Sequence, residues 1–153
     1  MQFLEYQMME AKNLLCCDTQ LNPESFSESL REINDLLSVN TYQKQEATYY
    51  LIFSNLESSA VSLYISLKNK ISNVKEPFRL KERIHLAQAV KTRHEGPLSD
   101  LGDSLLRIMQ YLDKRKLSPI TPFCCKVLAG LDDPADTRNM IMDIYVGVNI
   151  NVI

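Results

Sequence analysis

Four cysteines and two histidines are the side chains of this sequence best suited to metal binding, redox chemistry or catalysis. The cysteines form two adjacent pairs, Cys16 with Cys17 and Cys124 with Cys125. Zinc sites usually place two to four residues between ligands, and disulfide frameworks distribute cysteines through loops. The spacing therefore favours buried, reduced thiols in an intracellular compartment. A redox-sensitive pair and a metal ion that bridges the two clusters are the alternatives.

The two histidines, His85 and His94, are poorly placed for acid–base catalysis. They lie in a segment whose periodicity predicts a helix, and at about 100° per residue they would point to opposite faces of it. We interpret each as a surface or boundary residue. The carboxylate pair Glu28 and Glu32 is interpreted as part of the solvated face of another helix, since both fall away from its apolar stripe.

Common catalytic and nucleotide-binding motifs are missing. The sequence has no His-Glu-x-x-His, Gly-x-Ser-x-Gly, Gly-x-Gly-x-x-Gly, Cys-x-x-Cys or P-loop pattern, and its 4 glycines are widely spaced. A phosphate-binding loop needs several glycines close together, so none can form locally. We therefore predict a protein that is not an enzyme, holds no metal or cofactor, and acts by binding another macromolecule.

Charge is unevenly distributed along the chain. Residues 1–67 hold 3 Lys or Arg and 9 Asp or Glu, a net charge of −6, whereas residues 68–94 hold 8 and 2, a net charge of +6. This basic stretch is the first candidate binding surface, for nucleic acid or an acidic protein. Its candidate residues are Lys75, Arg79, Lys81, Arg83, Lys91 and Arg93. The alternative is a solvated face that balances the acidic part of the same domain.

A short leucine motif is the second candidate binding surface. It consists of Leu98, Leu101, Gly102, Asp103 and Leu105, and leucines at i, i+3 and i+7 share one face of a helix. The motif resembles the death-inducing helix of the apoptosis regulators named after B-cell lymphoma. That resemblance implies helix-in-groove recognition. The alternative is that these leucines form the inward stripe of an ordinary core helix.

Helical periodicity dominates the sequence that surrounds these candidates. We expect helices from the first residues to Cys17, from Pro23, over residues 42–72, over residues 76–94, and from Pro97 to Lys116, followed by two short ones. The clearest amphipathic stripe is Phe26, Leu30, Ile33 and Leu37. Only the end of the chain alternates like a strand, with Val146, Val148, Ile150 and Val152 on one side.

These elements predict an all-α fold in a single domain over residues 1–153. We expect an irregular helical bundle or a short armadillo-like solenoid of seven or eight helices, with residues 146–153 as a possible extended tail. A length of 153 residues and a hydrophobic content of 45% are typical of one globular domain. No apolar run is long enough for a membrane span, and the first residues do not resemble a signal peptide.

The function predicted from these observations is that of a non-enzymatic protein-protein interaction domain, a subunit or adaptor in a larger intracellular assembly of the cytoplasm or nucleus. Another protein is the expected partner, and assembly with further copies of the chain is compatible with the sequence. Two alternatives are kept. One is a groove-forming apoptosis or signalling regulator, and the other is a nucleic-acid binder that uses residues 68–94.

Overall fold

The chain forms six strands and two helices in the part that the structure describes. The structure is a computed structural model that describes residues 1–53, 59–131, 133 and 136–149, without the side chains of residues 46 and 47. The elements are β1 (Leu4–Gln20), α1 (Pro23–Val39), β2 (Lys44–Phe53), β3 (Ala60–Leu67), β4 (Arg79–Gly96), α2 (Leu101–Arg115), β5 (Ser118–Ala129) and β6 (Met140–Asn149), with a short 3-10 turn at Leu98–Asp100 before α2. The predicted all-α fold is therefore wrong.

The six strands form one antiparallel sheet that closes on itself in the order β1-β3-β2-β5-β6-β4. The chain contains two halves with the same order of elements, strand–helix–strand–strand: β1-α1-β2-β3 and β4-α2-β5-β6. The halves meet along two seams, β1 with β4 and β2 with β5. The second seam is short and pairs Tyr50–Phe53 with Phe123–Lys126.

The two helices are the part of the fold that the sequence predicts correctly. Asn22 caps α1 by accepting a hydrogen bond from the Ser25 amide at 2.9 Å, and Pro23 occupies the first turn. The predicted stripe of α1 is buried throughout. In α2, Lys116 adopts a left-handed conformation and ends the helix just after two basic residues, as the helix dipole favours. Neither helix is long and apolar enough to cross a membrane, as far as the described residues go.

In β1, β3, β5 and β6, consecutive central residues are buried on both sides of the sheet, which hides the strand periodicity in the sequence. In β1, Leu15 and Cys17 belong to a core that packs under α1 and α2, here called the helix-side core. Their neighbours Leu14 and Cys16 belong to a second cluster, the opposite core. A strand with two buried faces shows no alternation of apolar and polar residues, so its apolar positions also fit a helical period.

Each misassigned segment corresponds to a strand, although in β4 buried and exposed residues alternate over much of the length. β1 replaces the first predicted helix, β2 and β3 the long helix over residues 42–72, β4 the helix over residues 76–94, and β5 and β6 the last two helices. Residues 54–58, inside the helix expected over residues 42–72, and residues 132, 134 and 135, before the last expected helix, lie outside the described residues. The strand-like end is confirmed as far as Asn149, since Val146 and Val148 lie in β6 and are buried; residues 150–153 lie outside the described part.

The two halves also repeat in sequence register. The buried positions 26, 30, 33 and 37 of α1 correspond to the buried positions 101, 105, 108 and 112 of α2, each 75 residues further along the chain. The same shift of 75 residues takes Leu4 forward to Arg79 and Lys91 back to Cys16. Leu4 pairs with Lys91, and Cys16 pairs with Arg79, between β1 and β4. The halves are therefore related by an approximate twofold axis, and each position can be compared with its equivalent.

Truncation of equivalent core residues tests this equivalence. Ile33→Ala in α1 and Ile108→Ala in α2 each remove a fully buried side chain from the helix-side core. We expect each to lower the free energy of unfolding by about 2–5 kcal/mol. Leu106→Ala, on the exposed face of α2 with 53% of the residue accessible, is the control and should change it by less than about 0.5 kcal/mol. Denaturant unfolding measures all three, and a small effect of either isoleucine would contradict the described packing.

Candidate functional site

An open cavity of about 700 Å³ lies between the first half of α1 and the adjoining ends of β1 and β3. This volume is within the range of about 300–1,000 Å³ that is usual for small-molecule sites. Its described lining includes three carboxylates and four hydroxyl side chains, with an apolar part from Ile52, Ala60 and Val61. The polar members are the carboxylates of Asp18, Glu28 and Glu32, the hydroxyls of Thr19, Ser25, Ser29 and Ser62, and the side-chain amide of Gln20.

Each carboxylate of the cavity is positioned by its element. Glu28 and Glu32 are four residues apart on α1, so they lie one above the other beside the buried stripe. Asp18 lies near the end of β1, opposite Ser62 of β3 in the strand pairing. Neither Glu28 nor Glu32 has a salt-bridge partner among the described residues. The cavity therefore carries uncompensated negative charge.

Asp18 is the one carboxylate of this group that is held by a cation. The Arg79 guanidinium donates two hydrogen bonds, from Nη1 to Oδ2 at 2.8 Å and from Nη2 to Oδ1 at 3.0 Å. The Ser62 hydroxyl donates to Oδ1 at 3.0 Å. Hydrogen bonding from Arg79, followed by that from Ser62, holds the pKa of the Asp18 carboxyl below its usual value. Asp18 is therefore charged at neutral pH.

A pair of side chains joins β1 to α1 at the inner wall of the cavity. The Ser29 hydroxyl donates to Thr19 Oγ1 at 2.7 Å, and Thr19 Oγ1 donates to the Ser25 carbonyl at 3.2 Å. In the second half the equivalent positions, 75 residues on, are His94 and Ser104. His94 Nδ1 lies 2.7 Å from Ser104 Oγ.

This equivalence explains the role of His94. The ring is 2% exposed, so the prediction of a surface or boundary position is wrong for this residue. Its Nε2 lies 3.1 Å from the Pro97 carbonyl, which can only accept, so Nε2 donates this hydrogen bond, while Nδ1 is bonded to the Ser104 hydroxyl. Because Thr19 makes the same strand-to-helix contact in the first half, we interpret His94 as a structural tie. His85 lies elsewhere, with Nδ1 3.8 Å from a carboxylate oxygen of Glu10.

The acidic character of the cavity is not a requirement of the fold. The positions equivalent to Asp18, Glu28 and Glu32 hold Arg93, Asp103 and Arg107 in the second half. Two of the three charges are thus reversed, although the helix stripe and the strand-to-helix tie are kept. A pattern that only one half carries suggests a role beyond folding.

The predicted basic stretch lies on β4 and the segment before it, and much of its charge is compensated. Arg79 pairs with Asp18, Arg83 with Glu10 at 3.3 Å, and both Lys91 and Arg93 with Asp143 at 3.4 and 2.9 Å. The remaining candidates, Lys75 and Lys81, are exposed. Partner binding through these six residues stays a prediction, and the ion pairs reduce the positive charge available for it.

The predicted leucine motif spans the 3-10 turn and the start of α2. Leu98, Leu101 and Leu105 belong to the helix-side core and are at most 3% exposed, whereas Gly102 and Asp103 face solvent. Recognition in a partner's groove would require α2 to leave the sheet. The leucines thus form part of the inward stripe of a core helix, the alternative given for this motif.

All four cysteines are buried and free, as predicted. Burial raises the pKa of the Cys124 thiol to about 12 and that of Cys17 to about 11. Such thiols are protonated at neutral pH and react slowly, since the thiolate is the reactive form. Within the described ranges, no three His, Cys, Asp or Glu side chains are arranged to hold a metal ion.

The sequence does not predict the three carboxylates as a site. From the sequence, Glu28 and Glu32 are predicted to lie on a solvated helix face, and Asp18 falls between a helix that ends at Cys17 and one that starts at Pro23. The net charge of −6 over residues 1–67 was the available signal.

Comparison with known proteins shows the fold. No protein-family model matches the sequence, and no curated protein matches it either. The crystal structure of the EcmrR C-terminal domain is similar over 99% of this chain and all of that one, with a TM-score of 0.74 and 14% identity. EcmrR in a DNA complex is similar over 97% of this chain, with a TM-score of 0.70 and 13% identity, but this chain spans only 58% of that one.

A crystal structure of a hydrolase from Listeria innocua is also similar, with a TM-score of 0.57, 12% identity, and coverage of 97% of this chain and 91% of that one. At these identities the similarity establishes a shared fold. The chain thus has the architecture of the EcmrR C-terminal domain, and its activity has to be argued from its own residues.

The Asp18–Arg79 pair gives a direct test of the site geometry. Arg79→Gln removes the largest cause of the low pKa at Asp18, so this pKa should rise toward its ordinary value of 3.8. The pKa of Asp136, which its neighbour Arg138 lowers to about 2, should stay unchanged. Carboxyl ¹³C chemical shifts followed against pH by NMR measure both. An unchanged Asp18 pKa would contradict the ion pair.

Proposed function

We propose that this chain is a non-enzymatic sensor module that binds a small organic cation in the cavity beside α1, as part of an intracellular transcription regulator. The observation that carries the proposal is the uncompensated charge of the cavity. Three carboxylates line it, and a single arginine pairs with one of them. Carboxylates attract cations and accept their N–H hydrogen bonds.

The lining supports binding rather than catalysis. Hydrolysis by a serine or threonine needs a neighbouring base that activates the hydroxyl, most often a histidine. The described lining includes hydroxyls and carboxylates but neither His85 nor His94. The Thr19 and Ser29 hydroxyls are engaged in the tie to α1. The hydroxyl and apolar groups suit contacts with the uncharged part of a ligand.

The regulator part of the proposal is supported by the similarity to EcmrR. That protein occurs in a complex with DNA, and the present fold corresponds to 58% of its chain there. A ligand-sensing domain joined to a DNA-reading segment is one way in which a small molecule controls a regulator. The predicted role as a subunit of a larger assembly is compatible with this arrangement. Its macromolecular partners can be protein or nucleic acid.

Agmatine, which carries an ammonium and a guanidinium group, is a suitable probe. Glu28→Gln combined with Glu32→Gln should weaken its binding about tenfold, because two exposed carboxylates at about 0.7 kcal/mol each amount to about 1.4 kcal/mol. Asp35→Asn is the matched control, since it removes a charge from the exposed surface of the same helix outside the lining. Isothermal titration calorimetry at low ionic strength measures the affinities.

Two results would contradict the proposal. One is undetectable agmatine binding to the wild-type chain. The other is a loss of affinity in Asp35→Asn that, counted per charge removed, equals the loss in the double glutamate variant. Such a result would show that agmatine is attracted to the net charge of the chain and does not bind at a specific site.

A further inference from the structure

We propose that Arg79 is a built-in competitor for the cation cavity: its guanidinium occupies Asp18 in the free protein and is displaced from it when the ligand binds. The inference rests on the proposed function and adds its regulation. Arg79 is the first residue of β4 and does not belong to the lining, yet it reaches a carboxylate that does. One carboxylate of the cavity is therefore already paired with a cation of the same chain.

The geometry of the pair makes it a good mimic of a ligand contact. Both oxygens of Asp18 accept from the two terminal nitrogens of the guanidinium, at 2.8 and 3.0 Å. A ligand with N–H donors would use the same lone pairs, so it and Arg79 compete for one acceptor. The Ser62 hydroxyl, 3.0 Å from Oδ1, contacts Asp18 from the other strand and can remain in either state.

The pair is weak enough to be exchanged. The side chains of Arg79 and Asp18 are 49% and 70% exposed, and exposed ion pairs contribute at most about 1 kcal/mol. The second half offers a contrast, because Asp143 is only 6% exposed and is held by both Lys91 and Arg93. There two cations hold one buried carboxylate. In the first half one exposed cation pairs with Asp18, whereas Glu28 and Glu32 of the same cavity have no salt-bridge partner among the described residues and stay available to a further cation.

Competition has a defined thermodynamic consequence. If a ligand must displace Arg79, its apparent affinity equals its intrinsic affinity multiplied by the fraction of molecules in which the Arg79–Asp18 pair is open. Removal of Arg79 therefore raises the apparent affinity by the strength of the pair. For an exposed pair this gain is about two- to fivefold, the upper value corresponding to about 1 kcal/mol.

The test is a titration of the full 153-residue chain with agmatine at low ionic strength. Arg79→Gln should bind agmatine about two- to fivefold more tightly than the wild type. Arg138→Gln is the matched control, since Arg138 makes the same kind of two-bond pair with Asp136 and its removal changes the net charge equally. It should leave the affinity nearly unchanged. In an Asp18→Asn background, Arg79→Gln should give no gain, which a double-mutant cycle makes quantitative.

A second readout follows the guanidinium itself. In the wild-type chain the ¹H–¹⁵N signals of the Arg79 side chain should shift toward solvent values as agmatine is added, while those of Arg138 stay in place. Equal gains from Arg79→Gln and Arg138→Gln, or a gain that persists with Asp18→Asn, would overturn the competition while leaving the cation site intact. If agmatine fails to bind any variant, the proposed function fails and the competition with it.

Discussion

Burial of both faces of the closed sheet is the constraint on which the rest of this structure depends. Two helices cover one face and form the helix-side core, and side chains such as Tyr50, Tyr64 and Tyr145 fill the opposite core. The central parts of the strands are therefore largely closed to ligands. The cavity lies at the edge of this packing, where β1 ends and α1 begins.

The same constraint explains how much of the fold could be predicted. The two helices were predicted correctly because their signals are local: a capping Asn22, a proline in the first turn, and stripes that face one core. The strands depend on contacts between distant parts of the chain. Leu14 and Leu15 are adjacent in sequence but enter different cores, so the alternation that identifies a strand is absent. Four consecutive buried residues are equally compatible with a buried helix.

The candidate site was less predictable than the fold, because its charges come together only through the sheet. Glu28 and Glu32 can be recognised as a pair on one helix, but their relation to Asp18 depends on the pairing of β1 with β3 and on the packing of α1. Asp18 and Arg79 are separated by 61 residues. The internal duplication allows equivalent positions to be compared within one chain. It shows which features the fold repeats in both halves, such as the tie between strand and helix, and which belong to one half alone.

The central claim is that the first half of the domain holds a cation site that the second half lacks. A ¹H–¹⁵N NMR titration with agmatine tests it most directly, since the second half serves as an internal control in the same molecule. We expect the chemical-shift changes to cluster at residues 18–20, 25–32 and 60–62. Much smaller changes are expected near Arg93 and Asp103, the equivalents of Asp18 and Glu28, and near Asp143, which pairs with Arg93 as Ser62 pairs with Asp18. Changes of similar size in both halves, or changes confined to the basic stretch of β4, would contradict the claim.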